Sequence, residues 1–156
     1  MQYWLMKTEP TTFSFDDLLG SPDQTTCWEG VRNYQARNMM RDQMKVGDQV
    51  LFYHSSCAEP GVVGIGEVVR EGYPDHTAFD PDARYYDDKS DPNKPRWFMV
   101  DVHAVRALAR NVTLAELKQE PALSDMPLLR KGNRLSVLPV TAAQYEHVLR
   151  LERRAP

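Results

Sequence analysis

Cysteine is scarce in this chain. Cys27 and Cys57 are the only two, thirty positions apart. That excludes a disulfide framework and fits no metal-ligand spacing, so both read as reduced thiols of a cytoplasmic protein. The four histidines, His54, His76, His103 and His147, are too scattered for a metal motif. No apolar run is long enough to cross a bilayer. The N-terminus shows no basic segment leading into an apolar one, so no signal peptide is expected. No repeat, low-complexity stretch or linker divides the 156 residues, and a single domain over 1–156 with a real core is expected. A large charge of one sign is also missing. The net charge of −3 argues against a protein that coats nucleic acid by bulk electrostatics.

The charge that is present is uneven. Residues 1–95 hold 16 acids against 9 bases, and residues 96–156 hold 6 acids against 10 bases. Much of the acidity lies in 75–91, where Asp75, Asp80, Asp82, Asp87, Asp88 and Asp91 face only Arg84 and Lys89. Such a block reads as a solvated loop. The basic C-terminal half offers a local surface for phosphate.

Hydrophobic patterning predicts about five strands with short helices between them. Gln2–Lys7, Gln49–Tyr53, Val62–Arg70, Arg96–Leu108 and Leu135–Val140 read as strands. Gly64 and Gly66 inside the third suggest a bulge, a barrel bend or close approach of a ligand. Ser14, Thr113 and Thr141 read as helix N-caps, and Arg32–Gln43 has helical spacing. The prolines and aspartates of 72–95 predict a long surface loop. Strands and long helices do not alternate, which argues against a doubly wound sheet and for a small, mostly antiparallel barrel.

Two stretches carry the functional signal. Tyr3–Pro10 and Cys27–Asn38 each combine an indole, a cation and small or amide side chains. Indole faces stack on a nucleobase, amides read its edge, and Arg or Lys meets an attached phosphate. Bland alternatives stand beside this reading. Trp28 also suits a core, Asn33 a helix cap, and Lys7 an exposed strand end. Trp4 falls on the opposite strand face from Leu5 and Lys7. Ser136 could donate to a base edge or merely satisfy the backbone.

The segments Tyr3–Pro10, Trp28–Asn38, Gly47–Ser55, Val63–Val69, the Asp-rich loop with Tyr85-Tyr86-Asp87, Pro95–Val102 and Arg134–Thr141 follow in order along nearly the whole chain. Together they closely resemble the EVE domain family. The resemblance implies an α+β, PUA-like fold: a twisted, mostly antiparallel β-barrel flanked by short helices. It implies kinship with YTH domains, which read methylated adenine in RNA. It further implies a non-enzymatic module that binds DNA or RNA and accepts a modified base, a cytosine or adenine derivative, in an aromatic pocket. The pocket residues it carries over are Trp4, Lys7, Trp28, Val31, Arg32, Asn33, His54, Ser55, Trp97, Arg134, Leu135 and Ser136. No cofactor, metal or membrane is implied, and a monomer is expected.

The rival is an enzyme. The related ASCH domains include amidohydrolases of acylated cytidine that use a Lys, a Thr and a Glu, types present at Lys7, Thr8 and Glu9. On one strand Thr8 should face away from the other two, which weakens this reading because a nucleophile and its base must be in mutual reach.

Overall fold

The computed structural model of the protein describes residues 1–154. Six strands form one mixed sheet: β1 (Tyr3–Thr8), β2 (Thr25–Cys27), β3 (Gln49–His54), β4 (Gly61–Pro74), β5 (Phe98–Thr113) and β6 (Val137–Val140). Their spatial order is β2-β5-β4-β3-β1-β6. Only β1 and β3 run parallel, with Tyr3 opposite Gln49 and Thr8 opposite His54. The other pairings are antiparallel.

Alternation along the strands gives the sheet two buried faces. Trp4 and Met6 of β1, with Val50 and Phe52 of β3, point into one core. Leu5, Leu51 and Tyr53 point into the other. Because both faces are covered, these strands read as nearly continuous apolar runs. The first core is closed by α1 (Phe15–Leu19), α2 (Tyr34–Asn38) and the wider π turn Met39–Gln43 that continues α2. The second is closed by α3 (Leu114–Lys118), short 3₁₀ turns and α4 (Ala142–Leu151).

The caps follow the sequence. Ser14 and Asp17 form a reciprocal capping box at α1, and Thr141 and Gln144 form one at α4. Thr113 caps α3, but the Glu116 carboxylate turns to Arg110 instead of completing a box. The single helix expected over 32–43 is divided. Asn33 caps α2, and the chain changes to π geometry at Met39, burying Met39 and Met40 side by side.

The expected α+β fold is met, its barrel only in part. Among the described residues the six strands make one unclosed sheet with β2 and β6 at its edges. The register of β4 against β5 shifts four times along their pairing, and that of β3 against β4 once. Each bulge bends the strand and adds twist. The glycines of β4 serve packing here: a Cβ on Gly64 would overlap the Phe15 ring.

Candidate nucleic-acid interface

A cleft of about 740 Å³ opens between the ends of the sheet. Residues from both edges line it. Thr26 and Cys27 belong to edge strand β2, Trp28 to Arg32 to the segment after it, and Arg134 and Ser136 to the approach to edge strand β6. Lys7, Thr8 and Glu9 enter from the end of β1, and Ser55 from the end of β3. Arg84 and Tyr85 complete the wall from the acidic loop.

Trp28 has two roles. Its ring meets Phe52 edge-on at 5.4 Å, and it is only 7% exposed, yet it lines the cleft. Gly30, at φ +83, lets the following backbone turn under the Tyr85 ring, which occupies the space a side chain would need. Lys7 is half-buried, and burial holds its ammonium below the ordinary lysine range. Burial likewise pushes the Cys27 thiol upward, so it is not a ready nucleophile.

Asp75 organises this wall, and the sequence reading placed it in a solvated loop. Its side chain is fully buried. It accepts the Gly30 N–H at 2.9 Å, the Arg32 guanidinium at 3.0 Å and the Thr77 N–H at 2.9 Å. Burial pulls its pKa upward, but the hydrogen bonds from Thr77, Gly30 and Arg32 outweigh that and hold it below the ordinary range. The available signal was local: an aspartate two residues before Thr77 is an Asx-turn pattern. Asp87 of the same loop is also tied down. It accepts the Trp97 indole N–H at 2.7 Å, which with its other bonds lowers its pKa.

The structure separates the candidate residues into two groups. Lys7, Trp28, Val31, Arg32, Ser55, Arg134 and Ser136 line the cleft. The others stand outside its lining. Trp4 is 1% exposed, with its indole N–H on Asp48 at 3.0 Å, so it is core and cannot be a pocket wall. Asn33 uses its side chain to cap α2 through the Ala36 N–H. The His54 Nε2 accepts the Phe15 N–H at 3.1 Å, and burial depresses its pKa, which keeps that nitrogen free to accept. Leu135 packs against both cores. Trp97 stacks on Tyr34 at 4.9 Å and lines a neighbouring recess of about 400 Å³. Arg32, although in the cleft, is not an unengaged phosphate ligand. Besides Asp75 it donates to the Tyr85 carbonyl at 2.6 Å and lies over the Trp97 ring at 5.4 Å.

The EVE domain description matches residues 2–151. The chain belongs to the EVE domain family. Thymocyte nuclear protein 1 of Homo sapiens is 45% identical to it over 170 residues, covering 99% of this chain and 75% of that protein. The crystal structure of human THYN1 protein in complex with 5-methylcytosine-containing DNA superposes with a TM-score of 0.92 at 44% identity, covering all of both chains. The YTH domain of Zygosaccharomyces rouxii MRB1, solved with N6-methyladenosine RNA, shares the fold at a TM-score of 0.57 and 12% identity, covering 99% of this chain and 86% of that one. The expectation of a cytoplasmic protein is corrected by these relatives, whose name places them in the nucleus. Reduced thiols, on which that expectation rested, do not separate two reducing compartments.

Proposed function

We propose that this EVE domain, acting as one domain over the whole chain, is a non-enzymatic reader of a modified base in nucleic acid, with 5-methylcytosine in DNA as its first candidate. The observation that carries the reading is the cleft between the two sheet edges, walled by Trp28 and bordered by Lys7 and Ser136. Its volume lies in the range of small-ligand sites. The indole supplies a stacking face, and a flipped base would present its polar edge to the strand ends. The open, bent sheet is the PUA-like scaffold of this reading. The human relative at 44% identity, solved with 5-methylcytosine-containing DNA, supports the choice of base.

Against the expectation that Thr8 faces away, Lys7, Thr8 and Glu9 all reach the cleft. The amidohydrolase reading still lacks a free nucleophile there, because the Thr8 hydroxyl donates to the Phe13 carbonyl at 3.0 Å. The family and its relatives lend it no support either.

Binding of matched oligonucleotides, with and without one 5-methylcytosine, tests the proposal. Burying one methyl contributes about 0.8 kcal/mol, roughly a fourfold preference. A larger ratio would mean that the wrong base leaves a polar group unpaired. Equal affinity for both oligonucleotides would sink the reading.

A further inference from the structure

Resting on that reader function, we propose that the turn Arg130–Arg134 is a phosphate clamp that seats the strand delivering the modified base. The Arg130 carbonyl accepts the Asn133 N–H at 3.2 Å, closing a tight turn that brings its ends together. Gly132, at φ +77 and with open space around it, permits the reversal. Asn133 then locks the turn. Its amide donates to the Pro127 carbonyl at 2.9 Å and accepts the Leu135 N–H at 2.9 Å.

Three cations stand on this held turn. Arg130, Lys131 and Arg134 are exposed, and among the described residues none pairs with a carboxylate. Arg134 lines the cleft, so the turn stands at its rim. Of the other arginines in the cleft lining, Arg32 holds Asp75 and Tyr85, while Arg84 lies over the Tyr85 ring, donates to the Thr12 hydroxyl at 3.4 Å and stands within the acidic loop. The loop that forms another wall exposes Asp80, Asp82 and Asp88. A polyanion is therefore drawn to the Arg130–Arg134 side and repelled from the acidic loop. A turn fixed before binding loses little entropy when phosphate arrives, which makes each contact more effective.

The test compares the wild-type protein with an Arg130→Gln/Lys131→Gln variant, leaving the cleft-lining Arg134 in place. The probes are a single-stranded oligonucleotide with one 5-methylcytosine and the free nucleoside 5-methyl-2′-deoxycytidine. Each lost contact should flatten log K against log salt by about 0.7, so the variant's slope should fall by about 1.4. That corresponds to roughly 25-fold weaker oligonucleotide binding at 0.1 M salt, converging toward the wild type near 1 M. Nucleoside affinity should not change. An unchanged slope with the methyl preference intact would overturn the clamp alone. A parallel loss of nucleoside affinity would also overturn it, because the turn would then be shaping the pocket and not holding phosphate. Failure of the wild-type protein to bind the oligonucleotide would overturn the clamp and the reader together.

Discussion

At Asp75 one buried carboxylate joins the Gly30 backbone, the Arg32 guanidinium and the start of the acidic loop. Removing it would leave Arg32 facing a wall without its counter-charge. Breaking a buried pair costs about 3–5 kcal/mol. Arg32 keeps 23% exposure, which places Asp75→Ala near the lower end, at about 3 kcal/mol. The pH dependence follows from the depressed folded pKa. The unfolded chain takes up the proton first, so the stabilisation is complete above the ordinary aspartate value of 3.8 and is lost as pH falls through the folded value. Denaturant melts of Asp75→Ala and wild type at neutral pH and at acid pH check both parts. The gap between the two proteins should narrow in acid. A neutral-pH difference below about 1 kcal/mol would show that the loop is held by other bonds. Composition alone could not reveal this residue, because an aspartate in an acidic run has the same signature whether solvated or bonded.

The elements were legible where a face is buried over several residues. β1 and β3 declare themselves as nearly continuous apolar runs, β5 through its alternation, and α1 and α4 through their N-caps. β2 was not legible, because Thr25–Cys27 is too short to show a period. The change from α to π geometry at Met39 leaves no mark either, since both forms bury methionines at similar spacing. Gly64 stands out in the sequence, but its cause lies in the tertiary structure: α1 lays Phe15 across it, where Phe15 also meets Phe52 at 5.1 Å. Gly64→Ala should therefore push α1 off the sheet and destabilise by about 1–3 kcal/mol, the usual cost of overpacking. Phe15→Leu in the same protein should recover part of that loss, a coupling that a double-mutant cycle reads directly. Additive effects would mean that α1 does not transmit the clash.

On the scale of the whole molecule, the open sheet and the cleft are two descriptions of one feature. Strand pairing stops at β2 on one side and at β6 on the other, and residues beside both edges line the same space. Direct pairing of β2 with β6 would fill that space with hydrogen bonds between strands. The short motifs could place Trp28, Lys7 and Ser136 near a site, but not show that Trp28 and Ser136 stand beside opposite edges of the sheet, which depends on long-range strand order. A base lodged there should act as a tie between the edges. A ligand present at 100 times its Kd stabilises the folded state by about 2.7 kcal/mol, so local openings that break the site should become rarer. Amide hydrogen exchange with and without the 5-methylcytosine oligonucleotide should show slower exchange in Thr26–Arg32 and in Arg134–Ser136 together, with little change along α4 on the far core. Protection confined to one edge would place the base on a single wall, and the picture of a ligand bridging an unclosed sheet would then fail.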